Sequence, residues 1–287
     1  SGIGALVSQN AETGIITVVK AFADAPAAKA GVKNGDIIYK VKGKEVTGVD
    51  INNVVTEMKG EKGTTVDITV YRESEKKYID FSITRDQVNE PTVEYKMLDK
   101  KKKIGYIQIS QFEEVTYDQF TKALDDLKKQ GMKAVIFDVR SNPGGLYETV
   151  CKMLDEILPE GNLVSTKDKY GNEEKQTSDS KCLEMPMVVL QNKDSASASE
   201  IFAGAIQDFN AGKIVGTQSF GKGIVQTILP LSDGSAVKLT VQDYYTPSGK
   251  NIHGKGITPD VEAELEENAT SDTQLEKAKE TIMELMK

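Results

Sequence analysis

From residue 104 onward, apolar strands alternate with helices, and this alternation constrains the fold more than any other feature of the sequence. Three runs of mostly apolar residues are typical of strands buried in a sheet: residues 104–109, 134–139 and 187–190. A helical pattern follows each of them, at residues 116–130, 147–158 and 198–209. Because strands that are connected through helices pair in parallel, the sequence predicts an α/β core with parallel strands.

The first 88 residues follow a different pattern, in which short β-rich runs alternate with turns and two short helices. The strand patterns are residues 14–19, 36–41, 66–71 and 78–83, and the helical patterns are residues 25–31 and 52–58. A polar stretch at residues 85–90 and then Pro91 precede the alternating strands and helices. We therefore predict two domains, residues 1–88 and residues 89–287, the second ending in a packing helix at residues 274–287.

Charge, histidine and cysteine content narrow the range of functions. The net charge of −8 argues against nucleic-acid binding, and the one lysine run, residues 100–103, is predicted to be a solvated turn. His253 is the only histidine, which excludes a multi-histidine metal site and leaves a Ser-His-Asp triad a single candidate base. Cys151 and Cys182 lack zinc-site spacing, and whether they pair stays open. No apolar run approaches the roughly 20 residues of a membrane helix.

The segment at residues 192–200 is the first candidate for catalysis. It carries Ser195, Ser197 and Ser199, follows a predicted buried strand and opens a predicted helix. A serine in this position lies near the positive end of the helix, where backbone N–H groups are free. The alternative is structural, since one of these serines can cap the helix with Glu200 completing a capping box.

Two further segments carry the residue types that a serine hydrolase needs. Residues 138–145 also join a buried strand to a helix and end in Gly144 and Gly145, whose bare backbone N–H groups can form an oxyanion hole. Lys222 lies between two glycines and ahead of an apolar run. A lysine amine acts as a base only in an apolar site that disfavours its charged form. Taken alone, residues 138–145 are compatible with an ordinary turn, and Lys222 is compatible with a position in a solvated loop.

Together these segments resemble the carboxyl-terminal processing peptidases, also called tail-specific proteases, over essentially the whole chain. Four motifs stand in the order of that family: Asp-Val-Arg-Ser-Asn-Pro-Gly-Gly at residues 138–145, Ser-Ala-Ser-Ala-Ser-Glu at 195–200, Phe-Gly-Lys-Gly-Ile-Val-Gln at 220–226, and Tyr-Thr-Pro-Ser-Gly-Lys and its continuation at 245–261. The resemblance implies that Ser197 is the nucleophile and that Lys222 is its general base. Gln226 matches a third member that orients the lysine. If this stretch is helical, Lys222 and Gln226 share a face and can form a hydrogen bond.

The same resemblance implies the remaining parts of the catalytic site. The oxyanion hole would consist of the N–H of Ala198 and one N–H of the glycine pair, with Gly144 preferred over Gly145. The protease core resembles the ClpP/crotonase-like α/β fold, and neither a metal nor an organic cofactor is implied. His253 falls in the fourth motif, which is structural in the family and not catalytic.

Residues 1–86 resemble the PDZ domain that this family carries. Four residues match its carboxylate-binding loop: Gly2, Ile3, Gly4 and Ala5. Successive N–H groups there can hold a free C-terminal carboxylate, and the strand edge that follows can pair with an extended peptide. Residues 25–31 and 35–38 look like the PDZ helix and its next strand. Lys59 sits where some relatives keep a basic residue that couples peptide binding to activation, and the alternative is an exposed lysine at the end of a helix.

The resemblance implies a serine endopeptidase whose PDZ domain binds the apolar C-terminal tail of an unstructured protein or peptide. Two alternatives stay open. A peptide-binding PDZ scaffold without turnover is disfavoured by the intact catalytic residues, and a small-molecule enzyme on the crotonase-like fold is disfavoured by the PDZ domain. Relatives act outside the cytoplasm, so an extracytoplasmic location is expected, with a membrane anchor outside this sequence. A homo-oligomer and a bacterial source are compatible with the sequence.

Overall fold

The computed structural model describes every residue of the chain except Asn89, Glu267, Asn268 and Thr270. It contains two compact units, Ser1–Pro91 and Thr92–Lys287. The predicted boundary falls between residues 88 and 89, and Asn89 itself lies outside the described residues.

The first unit is a β-rich fold with two short helices, α1 (Pro26–Ala30) and α2 (Ile51–Met58). Its strands are β1 (Ala5–Gln9), β2 (Ile16–Ala21), β3 (Ile37–Val41), β4 (Lys44–Glu45), β5 (Thr65–Arg72) and β6 (Lys77–Thr84). All pairs are antiparallel in the order β1-β2-β3-β5-β6, with β4 beside β3, so that β1 lies at an edge of the sheet. The predicted strands and helices of this unit are confirmed. Strand β1 is the strand that the PDZ resemblance implied after the carboxylate-binding loop, whereas β4 was not predicted.

Local sequence explains both helices of the first unit. Pro26 occupies the first turn of α1, and Gly31 ends the helix with φ of 101°, a backbone conformation that glycine adopts without strain. The Asp50 side chain caps α2 by accepting a hydrogen bond from the Asn52 N–H. Val54 and Met58, four residues apart on α2, are buried in the core of this unit.

The second unit has ten strands and four helices within its described residues. The strands are β7 (Val93–Asp99), β8 (Ile104–Ile109), β9 (Ala134–Asp138), β10 (Gly161–Asp168), β11 (Glu173–Ser178), β12 (Met187–Gln191), β13 (Gly212–Gly216), β14 (Ile224–Pro230), β15 (Ala236–Tyr245) and β16 (Val261–Glu262). The helices are α3 (Thr116–Lys129), α4 (Tyr147–Asp155), α5 (Ala198–Asp208) and α6 (Thr273–Leu285). In the described part of the chain, no helix has both the length and the apolar surface that crossing a membrane requires.

The central sheet of this unit has the order β16-β13-β12-β9-β8-β7, and its inner pairs are parallel as predicted. Strand β9 is buried on both faces, and alternate side chains enter different cores. Val135 and Phe137 pack with residues of α3, α4 and α5. Ala134 and Ile136 pack on the opposite face with Ala278 of α6 and its neighbours.

A second, antiparallel sheet has the order β11-β10-β15-β14. Most side chains of β11, β14 and β15 are exposed, including the alternating Val237, Leu239 and Val241 of β15. These three strands were not predicted from the sequence. The possibility that residues 222–226 are helical is wrong, because β14 begins at Ile224 and pairs with β15. The hairpin partner provides the hydrogen bonds that make this segment extended.

Both cysteines are free thiols. Cys151 lies on the buried face of α4, and its burial raises the pKa of the thiol to about 12. Cys182 is partly exposed in the segment that precedes β12.

This difference in burial predicts unequal thiol reactivity. With iodoacetamide at pH 8, we expect Cys182 to be alkylated at least about tenfold faster than Cys151, because only the thiolate reacts and burial disfavours it. Peptide mass spectrometry of a time course measures both rates, and labelling in guanidinium chloride, where the two rates should converge, is the control. Equal native rates, or a disulfide between the two residues, would contradict the arrangement.

Candidate active site

Ser197 stands at the turn between β12 and α5, in a backbone conformation that is strained for a residue with a side chain. Its φ and ψ are 57° and −116°, and such a conformation costs about 1–3 kcal/mol unless the surroundings hold it. The Ser197 N–H donates to Glu200 Oε2 at 2.9 Å. The Ser197 carbonyl accepts hydrogen bonds from the N–H of Glu200 at 2.8 Å and from the N–H of Ile201 at 3.1 Å. The first turn of α5 therefore holds the turn that carries the serine.

The neighbouring serines have structural roles. The Ser195 hydroxyl donates to the Val139 carbonyl at 2.8 Å, and the Ser199 hydroxyl donates to the Asn142 carbonyl at 2.9 Å. Both bonds join the turn after β12 to the turn after β9. Of the three serines, all of them within the described residues, Ser197 alone lines the cavity that also contains Lys222. The capping-box alternative is realised in one half only: the Glu200 carboxylate accepts from the Ser197 N–H, whereas the Glu200 N–H donates to the Ser197 backbone carbonyl and not to its hydroxyl.

A cavity of about 600 Å³ brings five of the predicted residues together: Gly145, Ser197, Ala198, Lys222 and Gln226. The turns after β9 and β12 meet here because neighbouring parallel strands place their carboxyl ends at the same edge of the sheet. A polar cavity of about 700 Å³ beside the end of α5 contains none of the predicted residues and lies away from this chemistry. In the described part of the chain, no group of three or more His, Cys, Asp or Glu side chains is placed to hold a metal ion.

Lys222 is half-buried in a loop that packs closely on another segment. A side chain at Gly223 would meet the His253 backbone N at 2.6 Å, and one at Gly221 would meet the Lys255 backbone N at 3.0 Å. The two glycines therefore allow the loop of Lys222 to lie against residues 253–256. His253 is exposed and does not line the cavity.

The Lys222 amine and the Ser197 hydroxyl do not form a hydrogen bond in this structure. Among the described residues, the amine has neither a hydrogen-bond acceptor nor an ion-pair partner, although it lines the same cavity as Ser197. The backbone N–H of Lys222 is bound, because it donates to Glu200 Oε2 at 2.8 Å. The backbone of the lysine is thus held while its amine is unpaired.

Gln226 lies on β14 and does not bind Lys222. Its side-chain amide donates to Thr240 Oγ1 on β15 at 3.4 Å. In an extended chain, residues four apart are separated by about 13 Å, more than twice the distance between them on a helix. The hydrogen bond expected from a helical spacing is therefore not formed.

The glycine pair provides one free N–H, and it belongs to Gly145. The Gly144 N–H donates to the side-chain oxygen of Asn142 at 2.8 Å, so it is engaged. The N–H groups of Gly145 and Ala198 have no acceptor among the described residues. The geometry favours Gly145 over Gly144 as the oxyanion-hole donor, whereas Gly144 was preferred from the sequence.

Both glycines are nevertheless required by space and backbone conformation. Their φ values are 103° at Gly144 and 145° at Gly145, both in the region that favours glycine. A side chain at Gly144 would meet the Cβ of Ser197 at 2.8 Å, and one at Gly145 would overlap the Phe112 carbonyl oxygen.

Glu200 is the residue that sequence reasoning missed, apart from its capping position. Its side chain is fully buried and has no cationic partner among the described residues. Besides the Ser197 and Lys222 N–H groups on Oε2, its Oε1 accepts from the Ser219 hydroxyl at 2.6 Å and from the Gly221 N–H at 2.7 Å. An ionised carboxylate offers only acceptors, which suits four donors. One side chain thus ties the turn of Ser197 to the loop of Lys222.

The first unit has a separate groove of about 600 Å³ between β1 and α2. The four residues predicted to bind a peptide all line it: Gly2, Ile3, Gly4 and Ala5. The Gly2 N–H donates to the Asp86 carbonyl, whereas the N–H groups of Ile3 and Gly4 have no acceptor among the described residues. Lys59 also lines the groove, at the end of α2. The opposite wall is apolar and contains Ile51, Val55 and Met58.

Comparison with known sequences assigns a family to each unit. The Peptidase family S41 model matches residues 103–263, and the PDZ domain model matches residues 1–83. The chain is 41% identical over 271 residues to a carboxy-terminal-processing protease of Bartonella bacilliformis, a match that covers 92% of this chain and 61% of that protein. It is 39% identical over 264 residues to a probable CtpA-like serine protease of Staphylococcus epidermidis, covering 91% of this chain and 52% of that protein. The chain thus spans between half and two thirds of the length of these relatives.

Among solved structures, the chain is similar to the photosystem II D1 C-terminal processing protease. The two are 30% identical with a TM-score of 0.57, and the match covers 98% of this chain and 76% of that one. The similarity extends over both units of the chain, which agrees with the sequence resemblance in placing a PDZ domain before an α/β peptidase.

The four hydrogen bonds to Glu200 predict a large effect of a small change. In Glu200→Gln, one carboxylate oxygen becomes an NH₂ group, which would face backbone or hydroxyl donors in either orientation. We expect peptidase activity to fall at least about a hundredfold and the free energy of unfolding to fall by about 1–3 kcal/mol. Casein turnover and thermal unfolding measure these effects.

Glu148→Gln is the matched control, because Glu148 lies in the first turn of α4 but is exposed. It should leave both measurements near those of the unaltered protein. An active and stable Glu200→Gln protein would show that the shared carboxylate does not hold the site together.

Proposed function

Because the chain belongs to Peptidase family S41 and carries a PDZ domain, we propose that it is a serine endopeptidase with Ser197 as nucleophile and Lys222 as general base. The observation that carries the proposal is that both residues line one cavity and that their backbone N–H groups share one carboxylate oxygen of Glu200. A common anchor holds the backbones of the two residues close to each other. The serine also has the strained turn that exposes a nucleophile at the start of a helix.

The reaction proceeds through an acyl-enzyme. Lys222, in its neutral form, takes the proton of the Ser197 hydroxyl as the oxygen attacks the peptide carbonyl. The N–H groups of Ala198 and Gly145 bind the oxyanion of the tetrahedral intermediate. When the C–N bond breaks, the protonated lysine gives its proton to the departing amine. Lys222 then takes a proton from the water that attacks the ester. When the C–O bond to Ser197 breaks, the lysine returns this proton to the serine oxygen and the carboxylic acid product leaves.

The proposal requires a local movement before the chemistry. The Lys222 amine must come within about 3 Å of the Ser197 hydroxyl, and its backbone is held by Glu200, so the change lies in its side chain and the flanking glycines. We assign Gln226 to orient the lysine, which requires its amide to leave Thr240. Ile201, Ile224 and Val225 provide apolar parts of the cavity wall, against which a bound substrate would exclude water.

Substrate is selected by the groove of the first unit. The free N–H groups of Ile3 and Gly4 can hold a C-terminal carboxylate, and the free edge of β1 can pair with the tail as an added strand. Apolar side chains at Ile51 and Val55 suit apolar tail residues. The substrate class is therefore a protein or peptide with an unstructured, apolar C-terminus. The alternative function, a peptide-binding scaffold without turnover, shares this groove and differs only in catalysis.

Replacing either catalytic residue should abolish proteolysis. We expect Ser197→Ala and Lys222→Met to lower casein turnover at least about a thousandfold, because the attack loses its nucleophile or its base. Lys193→Met is the control, since Lys193 is exposed, lies near the nucleophile and does not line the cavity. Circular dichroism checks that all three variants fold. Full turnover by Ser197→Ala would remove the proposed mechanism, and inactivity of the unaltered protein would favour the scaffold.

Tail recognition should depend on the free carboxylate. In the Ser197→Ala background, which prevents cleavage, we expect amidation of an apolar test peptide to weaken binding at least about tenfold, because the charged acceptor is lost. Fluorescence anisotropy measures the affinity. Val55→Asp should weaken binding as well, whereas Thr56→Asp, on the exposed side of α2, should not. Equal affinity for the acid and the amide would exclude carboxylate capture.

A further inference from the structure

Tyr244 connects the two halves of the catalytic site. It is 1% exposed at the end of β15 and lines the active-site cavity. Its backbone N–H donates to the Gly223 carbonyl at 3.1 Å, next to Lys222. Its hydroxyl donates to the Ser197 carbonyl, also at 3.1 Å. A single residue therefore contacts both the base loop and the nucleophile turn.

The carbonyl that Tyr244 binds belongs to the same peptide group as the Ala198 N–H. This carbonyl accepts three hydrogen bonds, two from N–H groups of the first turn of α5 and the third from Tyr244. The N–H at the other end of the group has no acceptor among the described residues. Hydrogen bonds to an amide oxygen draw electron density from the nitrogen and make its N–H a stronger donor. They also fix the plane of the group, and with it the direction of the N–H.

We propose that Tyr244 is a positioning residue for the oxyanion hole, where its hydroxyl holds and polarises the Ser197–Ala198 peptide group. The inference rests on the proposed role of Ser197 as nucleophile. The strained backbone at Ser197 makes this contact consequential, because rotation of the peptide group would relieve strain and turn the Ala198 N–H away from the substrate. The Tyr244 hydroxyl comes from a different sheet and opposes that rotation from outside the helix.

The environment keeps the tyrosine hydroxyl a donor. Burial, together with the Glu200 carboxylate, raises the pKa of Tyr244 well above its ordinary value, so the phenol stays protonated. Its partner is a carbonyl oxygen, which can only accept. At 3.1 Å the bond is long for a hydroxyl donor, so its loss should cost about as much as a single ordinary hydrogen bond.

The test is Tyr244→Phe, which keeps the ring and removes only the hydroxyl. On a short peptide substrate we expect kcat to fall about fivefold to tenfold with KM within about twofold of the unaltered enzyme, because the oxyanion exists only after attack. A peptide aldehyde forms a tetrahedral adduct with the serine, so its inhibition constant should rise by the same factor as kcat falls. Rates are normalised to folded protein from thermal unfolding curves.

Tyr245→Phe is the matched control. Tyr245 is the next residue on β15, its ring lies 5.8 Å from the Lys167 amine, and its hydroxyl has no hydrogen-bond partner in the described part of the chain. This variant should match the unaltered enzyme in kcat and in aldehyde affinity.

The possible outcomes separate the inference from the proposed function. Unchanged kcat in Tyr244→Phe, or a fall in kcat without a matching loss of aldehyde affinity, would overturn the role of Tyr244 while Ser197→Ala stays inactive. Turnover by Ser197→Ala would overturn the proposed nucleophile and the inference with it. A parallel loss of kcat and aldehyde affinity in Tyr244→Phe alone supports the inference.

Discussion

A buried carboxylate with four donors and no countercharge among the described residues organises the candidate active site. Glu200 accepts from the backbone of Ser197 and from the backbone of Lys222 on the same oxygen, at 2.9 and 2.8 Å. A charge removed from water is expensive unless hydrogen bonds replace its hydration. Glu200 has all four hydrogen bonds only when the turn of Ser197 and the loop of Lys222 are both in place. Burial of the carboxylate is therefore stable only when the site is assembled.

The candidate site also requires backbone segments to pack closely against each other, and glycines allow this because they have no side chain. Gly144 lies against Ser197, Gly145 against Phe112, and Gly223 against His253. Any side chain at these positions would overlap a neighbour. Among the described residues, the N–H groups of Gly145 and Ala198 have no acceptor, which is the arrangement that an oxyanion needs.

The structure also separates what is rigid from what must move. The backbones of Ser197 and Lys222 are held by Glu200, and the strain at Ser197 is supported from α5 and β15. The Lys222 amine does not bind the Ser197 hydroxyl, and the Gln226 amide does not bind Lys222. The proposed catalysis therefore requires side-chain movement over a backbone that hydrogen bonds hold in place.

Local sequence pattern was sufficient for three parallel strands of the α/β core, β8, β9 and β12, and for most of the β-rich first unit, because apolar periodicity and capping residues act over a few positions. The parallel strands β13 and β16 were not predicted. The motifs also led to Ser197 and Lys222, which the structure places in one cavity. Three-dimensional contacts were needed for the rest. Gly145 is the better oxyanion-hole candidate because Asn142 engages the Gly144 N–H, and Gln226 lies on a strand because β15 pairs with it. Glu200 accepts from Lys222, more than 20 positions away, and Tyr244 donates to Ser197, more than 40 positions away. A local sequence pattern cannot show that such distant residues form a hydrogen bond.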